Sequence, residues 1–334
     1  MVKRLLWIIL LIITFVPLTA AHGFGQKSPF ENGRFWEKNH LFLHYRIWLP
    51  SVPRGKVLLV HGLGGSTFSW RHAPDFFLRT GYLVVAVDLP GFGYSQRVTG
   101  MANKRENQVQ MLLDFLRYLD TEVLPSPSHL EKWHLVGHSM GGAMVFLMAM
   151  QEPERFQRVV LIDAALRSPS NHLLKALVTF PLTRGCWTTL IRNIFLSPSG
   201  VKRSLRAAYG RVPTAEEFQG YYTPLKLPGT AQSLLSLLRN TSPFKLSPFR
   251  QKLHPPFLLI WGEKDRFVSV KQGEKFQKIF PETLLHVVQG ASHCPMETHP
   301  EEVYPLIVDF FTASKEEDSQ KVPESSPGLR ELNQ

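Results

Sequence analysis

The chain has 334 residues, of which 44% are hydrophobic and 19% charged, a composition typical of a globular protein with one large domain or two ordinary ones. The formal net charge is +11 at pH 7, but the basic residues are scattered and no basic run alternates with aromatic residues, which argues against nucleic-acid binding. Peripheral attraction to an anionic membrane surface, or simply a basic soluble surface, fits this charge better.

The N-terminus, residues 1–21, has the three-part layout of a secretory signal peptide. Lys3 and Arg4 precede an apolar stretch over residues 5–16, and Ala20 and Ala21 supply small residues for cleavage. The stretch is shorter than the about 20 residues that a membrane span needs. We therefore expect an exported protein that is secreted, periplasmic or, if the segment is not cleaved, membrane-anchored by it.

Short apolar runs recur along the chain, and most lack the alternation of a half-exposed strand. Strands that are apolar on both faces belong in a parallel sheet covered by helices. Apolar spacing of three and four residues over 112–119 predicts a helix between two of these strands, and residues 300–311 predict a closing helix. The predicted fold class is therefore α/β with a mainly parallel sheet. The predicted strands cover residues 41–50, 56–62, 82–88, 133–139, 158–163 and 256–262.

One interval interrupts the alternation of strands and helices. Residues 165–253 contain helical patterns and several Pro and Gly breaks but no convincing strand, which predicts a helical cap over one end of the sheet. The core is then built from residues 22–164 and 254–314. The polar, Pro- and Ser-containing tail, residues 315–334, is expected to be disordered.

The segment "WHLVGHSMGGAM", residues 133–144, contains the strongest chemical signal in the chain. A predicted strand ends at Val136, the chain turns through Gly-His-Ser-Met-Gly, and a helix is expected from Met140. Gly137 and Gly141 are small because side chains there would collide across the tight turn. This strand–turn–helix context predicts that Ser139 is a nucleophile exposed at the tip of the turn.

A serine hydroxyl needs a base and an oriented acid, and two later segments offer them. His293 lies in the loop "GASHCP" after the last strand, where it can take the serine proton. Asp265, in "WGEKD", follows a strand end and is the preferred acid. Asp163 also ends a strand and could reach the same histidine, so the choice between the two acids stays open.

Acyl transfer also requires hydrogen-bond donors for an oxyanion. The glycine-rich turn "HGLGG" follows the strand that ends near Val60. We predict that the backbone N–H groups of Leu63 and Met140 form the oxyanion hole. A plain tight turn remains the alternative interpretation of these glycines.

The motifs "HGLGG", "DLPGFGYS", "GHSMGG", "WGEKD" and "GASHCP" occur in the order and approximate spacing of the α/β-hydrolase superfamily. The chain resembles its lid-bearing serine hydrolases, the esterase- and lipase-like group, over about residues 34–314. The resemblance implies that the cap borders the substrate pocket and that Asp88 has a structural role. It also implies the triad order Ser139, Asp265 and His293.

The resemblance narrows the chemistry to attack on a carbonyl, because the epoxide hydrolases and haloalkane dehalogenases of this fold carry an aspartate where Ser139 stands. The leading expectation is a carboxylester hydrolase acting on a small-molecule ester or a lipid such as a monoacylglycerol. A carbon–carbon bond hydrolase of the diketone-cleaving type is the alternative. A non-enzymatic ligand binder is less favoured, because no member of the triad is missing.

The sequence shows no pattern for a metal or another cofactor. The histidines are dispersed, and neither an HExxH, a CxxC, a phosphate-binding loop nor a dinucleotide fingerprint occurs. We expect Cys186 and Cys294 to be unpaired, buried thiols.

Overall fold

A computed structural model describes residues 27–124, 132–166, 184–240, 246–250 and 255–313. The predicted signal or anchor segment, residues 1–21, lies outside the described residues. So does the predicted disordered tail, residues 315–334, because the described part of the core ends at residue 313. Within the described ranges, none of the helices combines the length and hydropathy that crossing a bilayer requires.

An eight-stranded sheet runs through the molecule in the order β1-β2-β4-β3-β5-β6-β7-β8. The pairs β1–β2 and β2–β4 are antiparallel, and every other neighbouring pair is parallel. The prediction of an α/β fold with a mainly parallel sheet is confirmed. The strands are β1 (Gly33–Lys38), β2 (Leu41–Trp48), β3 (Gly55–Val60), β4 (Tyr82–Val87), β5 (Trp133–His138), β6 (Phe156–Ile162), β7 (Phe257–Gly262) and β8 (Leu284–Val288).

The first strand was not expected from the sequence. It lies at the edge of the sheet, and of its six residues only Gly33 and Trp36 are buried. It therefore contains no apolar run from which a strand could be predicted. By contrast, all residues of β3, β4, β5 and β7 are buried, as the doubly covered centre of a parallel sheet requires.

Helices cover both faces of the sheet and fill the interval between β6 and β7. In chain order they are α1 (Ala73–Arg79), α2 (Arg105–Tyr118), α3 (Met140–Gln151), α4 (Arg184–Leu190), α5 (Pro198–Tyr209), α6 (Ala215–Leu225), α7 (Thr230–Asn240), α8 (Lys271–Ile279), α9 (Pro295–Thr298) and α10 (Pro300–Thr312).

Side chains alternate along the central strands and so divide the core into two layers. On one face, Leu58 of β3 shares a cluster with apolar residues of α2, α3 and α8. On the other face, Leu59 belongs to a cluster with α1, α10 and Leu205 of α5. Because this second cluster includes α5, part of the cap is packed into the same apolar layer as the core helices.

The described part of the cap is helical. Helices α4 to α7 all lie between β6 and β7, and α7 contacts the loop around Gly100, where Asn103 donates a hydrogen bond to the Ser233 carbonyl at 3.0 Å. The prediction for the cysteines is half wrong. Cys294 is buried and Cys186 is exposed on α4, and both are unpaired.

Candidate active site

Ser139 occupies a strained turn between β5 and α3. Its φ of 51° and ψ of −115° lie in a region that non-glycine residues seldom adopt. A Cβ on Gly137 would lie 2.6 Å from the Gly141 carbonyl oxygen, so this glycine is required across the turn, as expected. Gly141 is required by a different neighbour, because a Cβ at this position would lie 2.3 Å from the carbonyl oxygen of Val60 at the end of β3.

His293 and Asp265 lie within hydrogen-bond distance of this serine in one continuous chain. The His293 Nε2 is 3.1 Å from the Ser139 Oγ, and the His293 Nδ1 is 2.7 Å from the Asp265 Oδ2. Since a carboxylate only accepts, the Nδ1 carries the proton and leaves Nε2 free to accept from the serine hydroxyl. The structure thus brings together the three residues that the sequence analysis named as nucleophile, base and acid.

Asp265 is held in an orientation that suits an ionised acid. Its Oδ1 accepts hydrogen bonds from the N–H groups of Phe267, at 2.7 Å, and Val268, at 3.0 Å. Burial raises the pKa of Asp265, but the hydrogen bond from His293 and the charge on that ring outweigh it, so the pKa falls below its ordinary value.

Asp163, the alternative acid, lies behind Asp265 and does not bond to the histidine ring. Its Oδ1 accepts from the Gly262 N–H at 3.0 Å, and its side chain shares a hydrogen bond with the Asp265 carboxylate. Burial, followed by the charge of Asp265, raises the pKa of Asp163 well above its ordinary value. The structure therefore places a charged carboxylate at Asp265 and a neutral carboxylic acid at Asp163.

The two predicted oxyanion donors belong to segments that flank the serine. Met140 is the first residue of α3, and the first N–H groups of a helix have no intrahelical acceptor. Leu63 follows Gly62, and a Cβ on Gly62 would lie 2.9 Å from the Ser139 Cβ, so this turn runs directly against the serine.

His61 braces the turn that carries Leu63. Its Nε2 accepts from the Leu89 N–H at 2.9 Å, so its Nδ1 carries the proton and donates to the Gly62 carbonyl at 2.7 Å. Burial lowers the pKa of His61. A neutral, fully buried imidazole therefore fixes the Gly62 carbonyl to the end of β4.

His138 was not assigned a role from the sequence, although it stands inside the "GHSMG" turn. Its ring Nε2 donates to the His293 carbonyl at 2.7 Å, and its ring centroid lies 4.8 Å from that of His293. Burial lowers the pKa of His138 to about 3, so the ring is neutral. A histidine at the carboxyl end of a mostly apolar strand, directly before the predicted nucleophile, was the signal that could have identified it.

Glu297 was also missed. Its side chain is fully buried four residues after His293 and accepts hydrogen bonds from both core and cap residues. Asp88, in contrast, has the structural role that the resemblance implied. It accepts from the backbone N–H groups of Thr67 and Tyr94 and pairs with the buried His44 at 2.8 Å.

Two large apolar side chains stand exposed beside the three central residues. Leu63 is 53% exposed, and Phe267 is 55% exposed with its ring centroid 5.2 Å from that of His293. Exposed apolar residues next to a reactive group are characteristic of a site that binds an apolar group.

The donor atoms of Asp163, Asp265 and His293 lie within 4.8 Å of one another, and this is the set within the described residues that could hold a metal ion. The hydrogen bond between His293 and Asp265 already occupies two of these donors. Two of the three groups are therefore already engaged in positioning a proton.

Comparison with known proteins places this site in a family context. A family model described as alpha/beta hydrolase fold matches residues 56–300. The chain is 29% identical over 276 residues to the Uncharacterized hydrolase YugF of Bacillus subtilis, covering 82% of this chain and 94% of that protein. It is 27% identical over 278 residues to a 2-hydroxy-6-oxononadienedioate/2-hydroxy-6-oxononatrienedioate hydrolase of Paraburkholderia phymatum, covering 80% and 91%.

Solved structures agree at the level of the fold. A thermophilic esterase from Thermogutta terrifontis matches with a TM-score of 0.64 at 22% identity, covering 81% of this chain and 93% of that one. A probable hydrolytic enzyme from Pseudomonas aeruginosa matches with a TM-score of 0.68 at 20% identity, covering 84% and 94%. Since the family match extends over more than half of its residues, the chain belongs to the α/β-hydrolase fold family.

Proposed function

We propose that this chain is a serine hydrolase that cleaves carboxylic esters through an acyl-enzyme on Ser139. The observation that carries the proposal is the continuous hydrogen-bonded chain from the Ser139 Oγ through His293 to Asp265, with distances of 3.1 and 2.7 Å. This arrangement supplies a nucleophile, a base and an acid that orients the base.

In the proposed reaction, the Ser139 Oγ attacks the ester carbonyl carbon while the His293 Nε2 takes the serine proton. The tetrahedral oxyanion accepts hydrogen bonds from the N–H groups of Leu63 and Met140. Collapse breaks the bond to the alcohol oxygen, to which His293 returns the proton. Water, activated by His293, then hydrolyses the acyl-enzyme, while Asp265 stabilises the imidazolium in both halves.

The apolar surroundings favour an ester with an apolar acyl or alcohol group. Leu63 and Phe267 flank the site, and burying such side chains against a hydrocarbon chain gains about 25 cal/mol per Å² of apolar surface. A lipid ester of the monoacylglycerol type fits this surface.

A carbon–carbon bond hydrolase is the second candidate, because the name of the Paraburkholderia phymatum relative describes a hydrolase of that kind. That relative's named substrate is a dicarboxylate, whose recognition requires cationic groups. Within the described residues, two partly buried arginines at the boundary between core and cap, Arg71 and Arg97, are already engaged. Arg71 pairs with Glu297 and Glu217, and Arg97 donates to backbone carbonyls and to Thr230. The ester is therefore the preferred substrate.

The test is hydrolysis of p-nitrophenyl esters from acetate to palmitate by the wild-type protein, by Ser139→Ala and by Ser204→Ala, an exposed serine on α5. We expect Ser139→Ala to lose roughly 10⁶-fold in kcat and Ser204→Ala to match the wild type. Turnover of a vinylogous diketone without turnover of any ester would replace this proposal by the carbon–carbon hydrolase. Equal activity of Ser139→Ala would remove the serine mechanism itself.

A further inference from the structure

A buried carboxylate joins the histidine-bearing loop to the cap. Glu297 lies on α9, the short helix that follows His293, and its side chain has no exposed surface. It plays no part in the Ser139–His293–Asp265 chain. It nevertheless accepts hydrogen bonds from both the core and the cap.

Three donors from three different elements converge on Glu297. Arg71, which directly follows the turn Thr67–Trp70 of the core, donates to its Oε2. Tyr209, the last residue of α5, donates its hydroxyl to the same oxygen at 2.7 Å. Tyr221 of α6 donates to Oε1 at 2.6 Å.

The same donors are tied to further polar groups. The Tyr221 hydroxyl is also 2.9 Å from the Ser69 Oγ, on the turn that precedes Arg71. Arg71 is 3.3 Å from Glu217 of α6, and Glu217 is paired with Arg211 at 2.6 Å. Both cap helices are therefore connected to the core through one carboxylate and its arginine.

The physical chemistry of burial makes this set cooperative. A buried carboxylate is tolerated only when it is paired and hydrogen-bonded, so each donor that is lost leaves an uncompensated charge. Burial, and then the charge of Glu297, raises the pKa of both Tyr209 and Tyr221. The two hydroxyls consequently stay protonated and keep donating at neutral pH.

We infer that Glu297 is a positioning residue that seats cap helices α5 and α6 on the loop carrying His293. Displacement of the cap moves Tyr209 and Tyr221, and Glu297 transmits that movement over four residues to the imidazole. A second contact supports the link, because a Cβ on Gly210, just after α5, would lie 3.4 Å from Ser292. The kinetic part of this inference rests on the proposed esterase function, whereas its structural part does not.

The primary test uses Tyr209→Phe, Tyr221→Phe and the double variant, since each change removes one hydroxyl and keeps the ring. Tyr222→Phe is the matched control, because Tyr222 lies on the same helix and stacks on Phe218 instead. Glu297→Gln is less suitable as the first variant, because it would remove the closer of the two carboxylates that pair with the partly buried Arg71 and leave it only Glu217 at 3.3 Å.

Three measurements are made on each variant: hydrogen exchange over residues 198–225 and 290–298, the low-field Nδ1 proton resonance of His293, and kcat per Ser139 titrated with a fluorophosphonate. In the double variant we expect faster exchange in both segments and a weakened His293 resonance. We also expect kcat to fall about tenfold with p-nitrophenyl acetate, the scale of a lost hydrogen bond to a charged group. Tyr222→Phe should match the wild type.

Unchanged exchange in the double variant would overturn the inference. So would faster exchange with an unchanged His293 resonance, because Glu297 would then only stabilise the cap. If the wild type hydrolyses no ester, the proposed function fails. Exchange and the His293 resonance still decide the role of Glu297 in that case.

Discussion

Ser139 and Asp163 are both held at positive φ, 51° and 43°, at the carboxyl ends of the adjacent strands β5 and β6. Such backbone costs about 1–3 kcal/mol per residue and persists only where surrounding contacts impose it. Here the Ser139 N–H donates to the Ile162 carbonyl and the Asp163 N–H to the Ile260 carbonyl, each at 2.9 Å. The sheet therefore supplies the constraint that presents both side chains at the same edge.

Replacing aspartate by asparagine should have opposite consequences at Asp163 and at Asp265. Asp163 is a neutral acid whose Oδ1 accepts one N–H, so Asp163→Asn keeps the side chain neutral and keeps its acceptor oxygen. We therefore expect the kcat/KM of Asp163→Asn to lie within about threefold of wild type. Asp265→Asn should lose about 10⁴-fold, because the amide cannot hold the Nδ1–H tautomer. Ester hydrolysis by the two purified variants gives the comparison. A loss in Asp163→Asn as large as that in Asp265→Asn would make Asp163 the functional acid.

At the scale of single elements, helix α6 of the cap is anchored at its N-terminus by a set of polar contacts. It begins with a capping box in which the Thr214 side chain accepts from the Glu217 N–H and the Glu217 side chain accepts from the Thr214 N–H. Arg211 donates twice to the same carboxylate, at 2.6 and 2.8 Å. Hydrogen bonds from Arg211, acting against burial, lower the pKa of Glu217 to about 2.

This lowered pKa predicts how the start of α6 responds to acid. The folded state holds Glu217 ionised down to a pH of about 2, whereas the unfolded chain protonates it near 4.5. Its stabilisation is thus fully present above pH 4.5 and is lost as the pH falls from 4.5 towards 2. Glu217→Gln should therefore have a lower Tm than the wild type at pH 7. The difference in Tm should become smaller as the pH falls from 4.5 towards 2.

Thermal unfolding of wild type and Glu217→Gln between pH 2.5 and 7 measures this gap. Glu216→Gln, at the exposed neighbouring position of the same helix turn, is the control and should follow the wild-type curve. A gap between wild type and Glu217→Gln that does not change with pH would show that the carboxylate is not preferentially ionised in the fold.

At the scale of the whole molecule, His134 of the central sheet is buried against aromatic rings. The ring lies 4.1 Å from that of Phe311 and 5.4 Å from that of Tyr82, and its Nδ1 has no partner among the described residues. Burial, and then the charge of Arg158, lowers the pKa of His134 to about 3. The folded protein therefore cannot take up a proton here under mild acid.

Acid should consequently destabilise the fold well above the range where carboxylates titrate. Below pH 6.5 the unfolded chain binds a proton at His134 that the folded chain refuses until about pH 3, so the free energy of unfolding decreases as the pH falls. The slope is about 1.4 kcal/mol per pH unit for this residue. His134→Phe removes it, so the variant should gain on the wild type with a slope that rises from about half of this value at pH 6.5 to nearly all of it at pH 5.

Urea unfolding of both proteins at pH 8, 6.5, 6 and 5 measures the difference, and any constant packing cost of the phenyl ring cancels between these values. A difference that stays flat with pH would mean that the ring binds a proton in the folded state as readily as in the unfolded chain.

Short-range patterns determined most of the architecture in advance. The apolar runs predicted the central strands because a doubly covered strand must be apolar throughout. The Gly-His-Ser-Met-Gly turn predicted the serine because Gly137 is required by a contact within the turn itself, although Gly141 is required by Val60 of a different strand. The edge strand β1 was not predicted, because an exposed edge position requires no continuous apolar run.

Only the tertiary structure decided the relations between distant residues. Asp163 and Asp265 both follow strand ends, and which one bonds to His293 depends on how two separate loops pack, not on either local sequence. His138 and Glu297 obtained their roles from groups that are 76 to 226 residues away along the chain, such as Tyr221, Arg71 and the His293 carbonyl. Local sequence encodes backbone geometry and burial pattern, whereas hydrogen bonds across the fold depend on the placement of whole elements.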